Sequence, residues 1–177
     1  MNGVFDLILD KDEQIIETFK PHKGKLFFKS VLLSTIWIIF VLLYPIALFS
    51  LMENILLVLI LVGVYVVAEA ICLLLTKMCY DKTFYAYTNK RVIIRTGIIG
   101  TDFKSLDMKM IGAVDVYVSL LDKILRKNTG TLKFGSMSSP INGQVNAYSF
   151  AHVIAPYDNY KKIKEYIEDC KNNKDEK

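Results

Sequence analysis

The chain has 177 residues, 53% of them hydrophobic and 23% charged, with 22 basic against 18 acidic side chains and a net charge of +4. That length holds one domain, or one domain with a membrane part, and so small a charge leaves no footprint for a nucleic-acid partner. A mean hydropathy of +0.32 leans apolar without separating a soluble from a membrane protein; the distribution of the apolar residues separates them.

Residues 1–25 read as a cytoplasmic N-terminal tail. Asp6, Asp10, Asp12, Glu13 and Glu17 lie ahead of the first apolar run, where a signal peptide would begin basic, and no A-x-A cleavage site follows. Within the tail, Gln14–Phe19 reads either as a strand added to a later domain or as part of a segment lying loosely on a membrane. Residues 26–78 then predict a two-helix transmembrane hairpin. Val31–Met52 carries no charge, and Ile55–Leu75 carries only Glu69; each run is long enough to cross a hydrocarbon core about 30 Å thick. Only Glu53 and Asn54 separate the runs, so the chain must turn back at once. Lys20, Lys23, Lys25 and Lys29 flank the first run and Lys77 and Lys82 the second, while the turn has no basic residue. The positive-inside rule therefore puts both termini in the cytoplasm and the protein in the cell membrane as a multi-pass chain. Cys72, Cys79 and Cys170 are scattered and predict neither a disulfide framework nor a zinc site.

From residue 79 to 170 the period changes to two, and a cytoplasmic domain is expected. Thr83–Thr88 and Arg91–Thr96 read as strands joined by a tight turn at Asn89-Lys90. Gly97 and Gly100 bracket a second turn into a strand around Asp102–Leu106, and Ala113–Val118 sets Val114, Val116 and Val118 on one face. Ser119 with Asp122 forms an acidic variant of the capping box for a two-turn helix. Its apolar face is Leu120, Leu121, Ile124 and Leu125, with Gly130 just past its end. Strands resume at Thr131–Ser136 and Ala147–Ile154, joined by a polar loop at 136–143. Pro156 opens a last helix with Tyr157, Tyr160, Ile163, Tyr166 and Ile167 on one stripe. Residues 171–177 read as a frayed tail.

Several short strands ending in one amphipathic helix resemble the pleckstrin-homology (PH) fold, and the wording of residues 80–168 is similar to the bacterial PH domain family of the YdbS-like type. The resemblance rests on a Tyr-x-x-Thr-Asn-x-Arg strand pair at Tyr85–Arg91, an Arg-x-Gly turn at Arg95–Gly97 and an Ile-x-x-Val strand at Ile111–Val114. A leucine-rich helix at Ser119–Leu125 and a Gly-Thr-Leu strand at Gly130–Leu132 complete it. It implies two small antiparallel sheets, a partly open barrel, capped by the C-terminal helix and carried by a membrane hairpin. It implies no catalytic residues and no cofactor. It also suggests a membrane-protein partner, either a second PH-domain protein or a further copy of the chain.

Two groups of residues stand out. Glu69 lies six residues, about 9 Å, before the cytoplasmic end of its run; a carboxylate there costs about 2.5–3.5 kcal/mol on insertion scales. In an antiparallel hairpin Ser34, Thr35 and Trp37 come alongside it. Glu69 then pins the hairpin, meets a polar group of a partner membrane protein, or serves proton or ion movement. Lys90, Arg91, Arg95 and Lys104 are the candidates for binding lipid headgroups. Residues 77–127 hold ten basic and five acidic side chains, the balance that anionic lipids attract. Arg91 and Arg95 share a strand face and with Lys90 suit a phosphate; alternatively Arg91 packs its stem over Tyr85 or Tyr87. His22 and His152 have no companion at ligand spacing, so no metal is expected. Three functions remain open: a non-catalytic membrane-anchored module that docks a partner protein, a domain that senses anionic lipids, and a small subunit of a transporter or channel.

Overall fold

A computed structural model of the protein describes residues 4–49, 55–124, 128–136 and 148–172. The turn at Glu53-Asn54, the end of the short helix at Leu125, most of the polar loop at 136–143 and the run 173–177 lie outside the described residues. The chain divides into two compact units. One is helical, Lys23–Asp81; in the other the N-terminal residues up to His22 join Lys82 and the residues after it.

The helical unit consists of α1 (Lys23–Phe49) and α2 (Ile55–Lys82). Ser30 of α1 bonds the Thr76 hydroxyl, whereas Ser34, one turn further along, meets Glu69, nearly two turns earlier in α2. A step forward in one helix is a step back in the other, so the two run antiparallel. Polar side chains face each other between the helices, while Trp37, Phe40, Leu59 and Leu74 are each more than 60% exposed on the outside. A pair of helices in water shows the opposite pattern. Among the described residues the segment Leu59–Lys82 is long and apolar enough to cross a membrane.

The second unit holds two antiparallel sheets and a closing helix. β1 (Ile15–Phe19), β2 (Phe84–Thr88), β3 (Arg91–Thr96) and β4 (Asp102–Asp107) form the first sheet in that spatial order. A short 3-10 turn at Met108–Met110 leads into the second, made of β5 (Ile111–Tyr117), β6 (Thr129–Ser136) and β7 (Ser149–Ile154), with β6 in the middle. α3 (Leu120–Ile124) links β5 to β6, and α4 (Pro156–Asn172) ends the described chain. The inner faces of both sheets meet in one core. Tyr85 stacks on Phe150 at 4.9 Å and Phe134 meets the same ring edge-on at 4.9 Å. Ile163 and Ile167 of α4 close the core from one end, both buried; each such side chain contributes about 1.5–3 kcal/mol by leaving water.

Of the two readings of Gln14–Phe19, the strand added to the later domain is the one present, so residues 1–25 are not simply a tail. β1 pairs antiparallel with β2, Phe19 opposite Tyr85, and the residues before it cross the outer face of the first sheet. There Phe5 is fully buried against Ala86 and Ile93. β2 and β3 are therefore covered on both faces, which is why their sequences lack the alternation of a half-exposed strand.

At the short helix the reciprocal cap is present. The Ser119 N–H donates to Asp122 Oδ2 at 3.1 Å, and the Asp122 N–H reaches back to Ser119 Oγ at 3.4 Å. Leu120 departs from the expected apolar face, being 75% exposed. Gly130 belongs to β6 instead of capping that helix; a Cβ there would stand 2.9 Å from the ring of Pro156. Tyr157, at the outer end of the α4 stripe, is 59% exposed, since the core ends at Tyr160.

Candidate functional site

Three places carry the polar groups from which a function can be argued. The first is the outer face of β3. Arg91 and Arg95 lie on that face with Ile93 between them, under the N-terminal residues. The Arg91 guanidinium clamps Glu13 with two bonds, Nε to Oε1 at 2.9 Å and Nη2 to Oε2 at 2.7 Å, and gives a third to the Ile8 carbonyl at 2.6 Å. The Glu13 side chain is fully buried. It accepts further bonds from the Thr88 hydroxyl at 2.7 Å and the Asp10 N–H at 3.1 Å. Burial pushes the Glu13 carboxyl up, but the bonds from Arg91, Thr88 and Asp10 outweigh it and hold the group below the usual carboxylate range. The same bond to Glu13 raises Arg91 against the opposing effect of burial.

Arg95 donates to the Val4 carbonyl at 3.3 Å and lies between the Phe84 and Phe103 rings, 5.8 and 5.9 Å from their centroids. Lys90 stands 3.7 Å from Asp10, and Lys104 is exposed on β4. The four cations expected to hold a headgroup therefore do not form an open cradle. The two arginines are bonded to the protein's own N-terminal residues, Arg91 to Glu13 and Ile8 and Arg95 to Val4. The missing partner was Glu13, whose signal is the acidic cluster of residues 6–17, opposite in sign to β3.

The second place is the interior of the helical unit. Ser34 donates to Glu69 Oε2 at 2.9 Å and Thr35 to Oε1 at 2.8 Å. Trp37 is not brought to Glu69; it faces outward. Thr35, Tyr65, Glu69 and Leu73 line a shallow depression open to the outside of the pair.

The third place is one that neither motif nor charge announces. Among the described residues β5 is an edge strand, paired only with β6, and α4 runs beside it. Between them lies a groove of about 270 Å³ with Ile111, Val114 and Ile167 in its lining and Lys164, Glu168 and Lys171 at its rim. The register slips between Ile111 and Ala113, a bulge at Gly112, and Lys171 Nζ donates to the Ile111 carbonyl at 2.8 Å. An edge of this kind offers a row of backbone donors and acceptors along an apolar floor, the chemistry that takes an extended peptide as an added strand. Among the described residues no group of three or more His, Cys, Asp or Glu side chains is arranged to hold a metal ion.

A family model described as Bacterial PH domain matches residues 28–169, which takes in most of α1, all of α2 and nearly all of the sheet unit after them. No curated protein and no solved structure matches the chain.

Proposed function

This chain belongs to the bacterial PH domain family, whose folds are protein- or lipid-binding modules, and on that premise we propose that it is a membrane-anchored, non-catalytic docking module. The α1–α2 pair anchors it as a transmembrane hairpin in the cell membrane, with both termini in the cytoplasm. The β5–α4 groove takes an extended segment of a partner membrane protein. The open β5 edge above an apolar floor carries this reading. A lipid-sensing reading draws less support, because Arg91 and Arg95 are already bonded to Glu13 and Val4. The outward apolar faces of both helices support the anchor: a surface of that size in water would drive association.

The test is a detergent pulldown of the tagged full-length protein from its native membrane, with mass spectrometry of proteins and lipids. Ala113 is exposed and lines the groove, so Ala113→Trp fills the site without touching the core. A membrane protein recovered in stoichiometric amount with the native chain, and lost with Ala113→Trp while the melting transition is unchanged, is the expected result. Recovery of anionic lipid alone, equal for both chains, overturns the docking reading in favour of lipid sensing.

A further inference from the structure

The β3–β4 turn, Gly97-Ile98-Ile99-Gly100, breaks the ordinary rule for turns, which favour Gly, Asn, Asp, Ser and Pro. Its tip carries two β-branched apolar residues, and Ile99 is 90% exposed, Ile98 43%. The turn is nonetheless tightly built. Gly97 adopts φ +151°, and a Cβ there would collide with the Gly100 carbonyl oxygen, so only glycine fits.

Its backbone is also held from outside. The Lys82 ammonium donates to the carbonyls of Ile98 at 2.8 Å and Ile99 at 2.7 Å and reaches that of Gly100 at 3.4 Å, matching three donors to three acceptors. Lys82 is the last residue of α2. Two isoleucines that no core accepts are therefore bonded, through three carbonyls, to the end of a long apolar helix.

We propose that this turn is a bilayer-inserting tip. Ile98 and Ile99 enter the headgroup layer of the leaflet from which α2 emerges. The inference rests on the membrane-anchored reading above and adds a second, independent contact with lipid. Helix length sets the level. The 28 residues of α2 span about 42 Å, against about 40–45 Å for a bilayer with its headgroups. Lys82 then lies at the outer edge of the headgroup layer, where a lysine suits the interface. A turn bonded to its side chain cannot leave that level however the rest of the domain is disposed. A lipid surface is thus the partner always within reach, which favours it over a protein as the cover for Ile99.

Trp37 is the only tryptophan in the chain and lies on the outer face of α1, 68% exposed, so the native protein reports on the anchor by itself. A second chain, Trp37→Phe with Ile99→Trp, reports on the tip at an exposed position where the fold tolerates the change. Both are reconstituted in vesicles of phosphatidylcholine and phosphatidylglycerol carrying a nitroxide either near the headgroup or deep in the acyl chain. The expected result is quenching of Trp37 by the deep nitroxide. The probe at position 99 should show blue-shifted emission quenched by the shallow nitroxide and protected from aqueous iodide. Adding Ile98→Asp should then return the probe at 99 to the emission of an indole in water. Trp37 quenched by lipid but the probe at 99 emitting as in water, open to iodide, overturns the tip and leaves the anchor standing. Trp37 untouched by either nitroxide overturns the anchor, and the tip with it.

Discussion

Removing the Arg91 guanidinium strands the Glu13 carboxylate in a site where its own side chain has no exposure. Arg91 itself is 25% exposed, so the cost falls at or below the low end of the range for breaking a buried pair, about 2–3 kcal/mol. Arg91→Met should therefore raise the open population of the N-terminal residues roughly 30- to 150-fold, read as faster chymotryptic cutting near Phe5 at neutral pH. Acid should do the same to the native chain. The folded value of Glu13 lies below its unfolded one. Its contribution is thus complete above the unfolded value and is lost as pH falls through the folded one. An acid-active protease should begin to cut near Phe5 only below about pH 4, and cutting that is equally fast at pH 6 would contradict the clamp. At this scale the sequence displayed the cations but not their fate. Arg91 and Arg95 were readable as neighbours because strand period is local, whereas Glu13 lies 78 residues away from Arg91 and no spacing rule connects them.

Among the elements, the helix pair was the most legible, because a helix is a rod of fixed rise. Depth arithmetic alone set Ser34 and Thr35 level with Glu69. It gave level but not direction: Trp37 lies two positions, about 200°, round the helix from Thr35 and faces out. Since Ser34 and Thr35 act as donors, Glu69→Gln keeps an acceptor carbonyl and should leave the pairing intact. Glu69→Leu removes both bonds and should weaken it by about 0.6–2 kcal/mol, measured by unfolding of the full chain in mixed detergent micelles. Equal losses in the two variants would show that the carboxylate charge, not its acceptor geometry, joins the helices. β5 was readable as a strand from Val114, Val116 and Val118, but not as an edge. Edge status depends on which strands lie beside it, and local alternation is silent on that. The groove was hidden for the same reason, since it belongs equally to β5 and to α4, some fifty residues later.

In the whole molecule, composition separates an apolar pair of helices from a β-rich remainder, yet leaves open whether Gln14–Phe19 joins that remainder, because a chain that leaves a sheet and returns after two long helices looks from its sequence like a separate tail. The sheet shows otherwise: β1 and β2 are hydrogen-bonded neighbours with Phe19 opposite Tyr85, and the helical unit, Lys23–Asp81, is an insertion between them. Adjacent antiparallel strands are about 5 Å apart, so the insertion leaves and re-enters the sheet unit at nearly the same point. Among the described residues, the cores of the sheet unit draw none from the insertion; Phe5, Tyr85, Phe134, Phe150 and Ile163 all lie outside it. Joining His22 to Lys82 through a short Gly-Ser linker should therefore yield a water-soluble monomer that melts in one cooperative transition, checked by calorimetry and by size-exclusion chromatography. The β5–α4 groove should survive in it, because Ile111, Ile167 and Lys171 rest only on that core. A monomer lacking a cooperative transition would mean that the helices complete the fold as well as anchor it. Retention of the partner segment by the shortened chain would separate docking from anchoring, one task for each unit.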